Sequence, residues 1–158
     1  MPIKSFRGQI ADLSTDVISL HTNTGSTGYR IVKLQLMAAL PGAQTQESVL
    51  KIYKIPQTAG SEDAKVDFSD QTLLGVGYYR DNNNDIYPTS SDIIFDNEII
   101  NQDIYITHKD VAVGQSVNYY IELEMVKLSL DENTVATLKD IRNIETDPTV
   151  TIPWNNII

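Results

Sequence analysis

The sequence predicts an all-β protein, an antiparallel β-sandwich of roughly eight strands with jelly-roll-like character, on three observations. Apolar and polar residues alternate with a period of two in several separated segments, as half-buried strands require. Turn residues (Gly, Pro, Asn, Asp) cluster between those segments. With 158 residues, 41% of them hydrophobic, the chain is long enough for one well-buried core and short for two.

Taken in order, the elements are these. Gly25-Ser26-Thr27-Gly28 is a turn cluster that closes a hairpin or loop from Val17–His21. Arg30–Met37 follows as a strand, with Val32, Leu34 and Leu36 on one face against Lys33 and Gln35, and Pro41-Gly42 ends it. Val49–Ile55 reads as a strand stopped by Pro56, and Gln57–Asp63 as a polar loop. Leu73–Tyr79 is a further strand, whose Gly75 and Gly77 suggest a bulge or a close backbone approach. Ile93–Phe95 and Ile104–His108 come next, and the loop Lys109–Gln115, with Gly114, returns the chain as a hairpin into Val117–Met125. That last segment alternates most clearly. Val117, Tyr119, Ile121, Leu123 and Met125 share one face, and Asn118, Glu122 and Glu124 the other, a separation no helix would produce.

The C-terminal part admits two readings. Ser129-Leu130-Asp131-Glu132 has capping-box spacing, and Val135, Leu138 and Ile141 recur every three residues, which predicts a short helix over Asn133–Arg142. A hairpin through Asp131–Asn133 with Thr134–Ile141 as a strand competes with it. Beyond, Pro148 and Pro153 forbid a regular element. The chain thus divides into one sandwich domain, residues 1–145, and an extended arm, residues 146–158. Val150, Ile152, Trp154, Ile157 and Ile158 make that arm apolar, so it needs a surface: its own sheet or a neighbouring subunit. Met1–Phe6 is read as a second arm.

Charge and composition exclude several function classes. Twelve basic against 21 acidic residues give a net charge of −9, the wrong sign for nucleic-acid backbones or for a basic membrane-surface helix. The absence of Cys removes disulfides, thiolate nucleophiles and cysteine-held metals. Nothing at the N-terminus has the apolar core of an export signal, and no stretch approaches the ~20 apolar residues of a membrane span, so a soluble protein is expected.

Candidate chemistry is sparse. His21 and His108 are the only imidazoles, and no G-x-S-x-G elbow accompanies them. His108, near Asp110, reads as an exposed strand-end residue. Asp81, Asn83 and Asp85 alternate as oxygen ligands do at the start of a calcium loop, with Asp92 at the closing position. Ile86 stands where that loop needs Gly, and Pro88 stiffens it, so a hairpin tip between Tyr78-Tyr79 and Ile93 is the better reading. Glu122 and Glu124 sit on one strand face with Tyr120 between them, the spacing of a glycosidase carboxylate pair, but a solvated face explains them as well. The pairs Tyr78-Tyr79 and Tyr119-Tyr120 each place one ring in the core, leaving Tyr79, Tyr87 or Tyr120 to stack on a sugar or a partner. No enzyme and no cofactor is expected from this set.

With the strands read, the segments Gly28–Lys33, Val49–Lys54, Ile93–Glu98, Gln102–His108 and Asn118–Glu124 together resemble small virion proteins of marine tailed bacteriophages, over about Gly8 to Asn143. The resemblance implies an accessory structural subunit of the particle, assembled in the host cytoplasm and resident in the virion. Its partners would be the major capsid protein or other virion proteins and further copies of itself, with a trimer favoured. A head decoration or cementing role comes first, a neck or tail position second. A carbohydrate-binding or receptor-contacting module is the reading from another class. No site residue is carried over, because the resemblance contains no site motif.

Overall fold

A computed structural model describes residues 2–20, 26–43, 45–81, 89–95 and 98–129. Every regular element among them is a strand: β1 (Ile3–Ile10), β2 (Ser14–Ile18), β3 (Thr27–Ala38), β4 (Gln46–Tyr53), β5 (Leu73–Asp81), β6 (Thr89–Ile94), β7 (Ile104–Asp110) and β8 (Val117–Lys127). They form two antiparallel sheets, ordered β1-β8-β3 and β2-β7-β4-β5-β6. The nesting of β1 with β8, β2 with β7 and β4 with β5 is that of one long hairpin rolled over on itself, the jelly-roll plan. The fourth pair of such a roll would join β3 to β6. Here β6 stays on β5, and β3 meets only a short bridge from beyond it, Tyr29 exchanging two backbone hydrogen bonds (2.7 and 2.8 Å) with Ile100. Among the described residues no helix is long and apolar enough to cross a membrane.

The core lies where the two inner faces meet. Alternation places Val117, Tyr119, Ile121 and Leu123 of β8 inward against Leu50 and Ile52 of β4, Ile104 and Ile106 of β7, and Ile10 and Ile18. Each fully buried aliphatic side chain contributes about 1.5–3 kcal/mol through removal of apolar surface from water. A second apolar cluster, Val49, Leu73 and Val76 with Tyr53, Tyr78, Ala64 and Phe95, occupies the opposite face of the five-stranded sheet, under the chain that links β4 to β5. That link is more than a polar loop. Lys51 is buried beneath it, with Nζ 2.7 Å from both Asp63 Oδ1 and the Lys65 carbonyl oxygen.

Several expectations are corrected. In β3 a bulge at Val32 lets Ile31 face Leu123 and Lys33 face Glu122. The inward set is therefore Tyr29, Ile31, Leu34 and Leu36, and Val32 is exposed; strict alternation failed because one extra residue shifts the phase. The loop 111–116 does not close a hairpin, because β7 and β8 belong to different sheets; it is a corner between them, with Gly114 at φ +78°. Similarly β2 pairs with β7, not β3, so the chain changes sheet after β2. Ile3–Phe6 is no free arm. It is the start of β1, and it pairs with Ile121–Glu124 along the sheet edge. Residues 133–142, and the arm 146–158 with Val150, Ile152, Trp154, Ile157 and Ile158, lie outside the described residues.

Gly77 is the close approach that its position suggested. A Cβ there would stand 2.9 Å from Leu36 Cδ1 and 3.2 Å from Leu34 Cδ2, so the bare backbone of β5 is what lets β3 settle onto it. Gly77→Val is expected to lower the unfolding free energy by about 1–3 kcal/mol through overpacking. Denaturant titration checks it: the midpoint should fall with an unchanged slope.

Candidate functional site

The strand directions bring the β1–β2, β3–β4 and β7–β8 connections, with the end of β5 and the start of β6, to one end of the sandwich. A polar network fills the core beneath them. His108 is fully buried, which overturns the expected exposed strand end: alternation in β7 turns it inward with Ile104 and Ile106. Its Nδ1 lies 3.1 Å from the Ala11 carbonyl oxygen, which can only accept, so Nδ1 carries the proton. Nε2 then accepts from the Ser48 hydroxyl at 2.9 Å. Ser48 Oγ in turn accepts from Gln46 Nε2 (2.8 Å), which also donates to the Ser116 carbonyl (3.0 Å). Burial pushes the His108 pKa below 6.5, against opposing contributions from the Ala11 carbonyl and the charges of Asp12 and Asp110.

A serine hydroxyl bonded to a neutral imidazole is half of a nucleophilic pair, but nucleophilic attack needs room for a substrate beside the oxygen. Ser48 and His108 are both 0% exposed, and the ring's orienting partner is a backbone carbonyl rather than a carboxylate. The network joins β4, β7 and two loops. Its work is architectural.

Carboxylates fix the loops themselves. Asp110, buried at the end of β7, accepts backbone N–H bonds from Glu47 (3.0 Å), Ala112 (3.0 Å) and Gln115 (2.7 Å). Burial raises its pKa, but these donors together outweigh burial and hold the carboxyl below 3.8. Asp12 accepts from the Asp110 N–H at 2.7 Å, tying the first corner to the last. Asp81 accepts from the Gly42 N–H at 2.8 Å, holding the β3–β4 loop. On this clamped base Leu13, Leu40, Val111 and Val113 stand 49–53% exposed. Leu13 does so at φ +55°, a left-handed conformation that Gly or Asn would adopt at lower cost. Sequence reading passed over these four residues. Their signal was present as aliphatic side chains set among turn residues, but which loops share an end is a property of topology.

A groove of about 640 Å³ crosses the three-stranded sheet from Arg7 through Tyr120 and Gln35 to Ser90 and Asp92. Arg7, Tyr120 and Gln35 lie abreast in register. The Tyr120 hydroxyl donates to Glu122 Oε1 at 2.8 Å, and Lys33 Nζ stands 5.9 Å from the ring centroid. Glu124 pairs with Arg30. The two carboxylates are thus half-buried and engaged, not simply solvated as expected. Tyr119, on the inner face, donates to Asp16 Oδ2 at 3.2 Å; burial, then the Asp16 charge, raise its pKa to about 12.

The remaining candidates fall apart spatially. Tyr79 is buried on the inner face of β5, so it is not free to stack on a ligand, whereas Tyr78 points outward and donates to Glu47 Oε1 at 2.8 Å. Tyr87, Asn83, Asp85 and His21 lie outside the described residues. Of the calcium set, Asp81 is buried and already engaged with Gly42, and Asp92 is exposed on β6. Among the described residues no group of three or more acidic or His side chains is placed to hold a metal ion. No family model matches the chain, and no curated protein matches it.

Proposed function

We propose that the protein is a structural subunit of a tailed-bacteriophage virion, acting as a head decoration or cementing subunit through protein–protein contacts. The observation that carries this reading is the clamped loop end: four exposed aliphatic side chains on three corners, one of them held in a left-handed backbone. Strain retained at an exposed apolar residue is what a contact residue would justify, because the bound partner repays it. Loops fixed by carboxylate caps lose little entropy on docking, which favours association at modest contact area. A two-sheet sandwich of this plan suits shell and lectin-like roles alike, so the reading rests on the site and not on the fold. The partners are the major capsid protein or neighbouring virion subunits, with self-association as a trimer, and the arm 146–158 is proposed to extend the same contacts.

Leu13→Asn separates stability from docking. The left-handed backbone suits Asn, so the free protein should gain up to about 1 kcal/mol while its occupancy on purified particles falls. Val113→Asp should reduce occupancy about tenfold or more at unchanged fold. Wild-type occupancy for both variants would remove this end from the interface. Locating the subunit's density in an intact particle distinguishes head from neck or tail.

The groove at Tyr120 favours a second reading, glycan contact, since a ring with Arg7, Gln35 and Asp92 around it offers stacking and hydrogen bonds together. A glycan array on which the wild type binds and Tyr120→Ala does not would support it; silence of both would end it.

A further inference from the structure

A second, smaller cavity of about 130 Å³ lies on the outer face of the five-stranded sheet, under the β4–β5 connection. Its floor is Lys51, Tyr53 and Thr107, and its roof is Gln57, Glu62 and Asp63. Two polar atoms on its walls are buried without a protein partner, Glu62 Oε2 and Thr107 Oγ1. Glu62 is 8% exposed and Thr107 2%. The other carboxylate oxygen of Glu62 accepts from the Thr15 hydroxyl at 2.8 Å, which fixes the side chain in place. A buried carboxylate oxygen left unpaired is costly, and its presence in a stable wall implies something that pairs with it.

From this geometry we infer that the cavity is a binding site for a small monovalent cation, sodium, potassium or ammonium, held between the Glu62 carboxylate and the Thr107 hydroxyl. Charge balance sets the sign. The Lys51 ammonium is already matched by Asp63 at 2.7 Å and by the Lys65 carbonyl, and this pairing lowers the Asp63 pKa. Among the described residues no Lys, Arg or His forms an ion pair with Glu62. The Glu62 carboxyl is therefore without a cationic side chain to pair with in the cavity. A divalent ion would need more anionic oxygens than one free carboxylate provides, and the neighbouring ammonium opposes it further. Volume agrees, since a monovalent ion and two or three waters, at about 30 Å³ per water, fill the space. The ion would pin the β4–β5 connection to β7 and so close the cover over the outer apolar cluster.

Thermal unfolding of the full chain in sodium, potassium, ammonium and tetramethylammonium chloride at equal ionic strength tests this. A small cation at tenfold excess over its dissociation constant should raise the midpoint by roughly 3–5 °C above tetramethylammonium, which is too large to enter. Glu62→Gln and Thr107→Val should each abolish that difference, and sodium NMR line widths of the wild-type protein should broaden and recover on adding potassium. Equal midpoints in all four salts, with narrow sodium lines, would mean a cavity holding water alone. Calcium acting at lower concentration than sodium would equally overturn the monovalent assignment.

Discussion

Asp110→Ala is expected to lower the unfolding free energy by about 3–5 kcal/mol. The carboxylate accepts three backbone N–H bonds at 2.7–3.0 Å, from Glu47, Ala112 and Gln115. Each bond to a charged acceptor is worth about 1.5–3 kcal/mol, and removing the acceptor strands donors on the β7–β8 corner and on β4 at once. The full sum does not apply, because freed N–H groups at the surface regain water. Asp110→Asn grades the effect: an amide oxygen in the Oδ1 position keeps the bonds from Glu47 and Ala112 and loses the one from Gln115, so roughly a third of the loss should appear. The pH dependence has a definite sign. The folded carboxyl titrates below its usual 3.8, so its contribution is complete above that value and is lost as pH falls through the lowered folded value. Urea unfolding at neutral pH and near pH 3 measures both parts. A D110A midpoint within error of wild type would remove the clamp from the account of this end of the sandwich.

His108 produces the second large effect, in a different pH window. Its folded pKa lies below 6.5, so the unfolded chain binds the proton more readily. The stability it confers is therefore complete above pH 6.5 and declines as pH falls through the folded value. One group changes stability by at most ~1.4 kcal/mol per pH unit, so the wild type should lose stability between pH 6.5 and 5 at no more than that rate. Protonation would put a charge among fully buried groups and turn Nε2 from acceptor into donor, breaking its bond from Ser48. His108→Gln should be less stable than wild type at pH 7.5 by about 1–3 kcal/mol, yet lack this decline. His21, the only other histidine, supplies the control, since His21→Gln should keep it. Parallel pH profiles for wild type and His108→Gln would show that the acid sensitivity arises elsewhere.

Both effects come from residues whose importance the sequence conceals. His108 stands at the polar end of a short alternating run, where solvent and core are equally compatible with the pattern. Only the pairing of β7 between β2 and β4 turns it toward Ser48, a residue 60 positions away. Asp110 stands out in the sequence only as a neighbour of His108, whereas two of its three partners lie on the following corner and the third on β4. The Glu122–Glu124 pair and Tyr120 were placed on the correct face by alternation alone, and the structure adds the partners that hold them. Tyr79 went astray for a local reason. Adjacent tyrosines show that one is buried, but the choice between them depends on which face of β5 carries Gly77, against which β3 packs.

Strand identity was legible for most of the chain because it depends on neighbours two residues apart: the alternation in β8, the turn residues between segments, and the all-β antiparallel sandwich of roughly eight strands follow from local pattern. Pairing was not, since β1 carries too few inward apolar residues (Phe6 and Ile10) to announce itself, and only β8, more than a hundred residues on, makes it a strand. Tertiary structure alone decided that β7 and β8 part company, that β3 shifts phase at Val32, and that three corners converge to present Leu13, Leu40, Val111 and Val113. The physical reason is the same in each case. A strand's faces are encoded by its own side chains, whereas its neighbours are chosen by the burial and hydrogen bonding of the whole chain together.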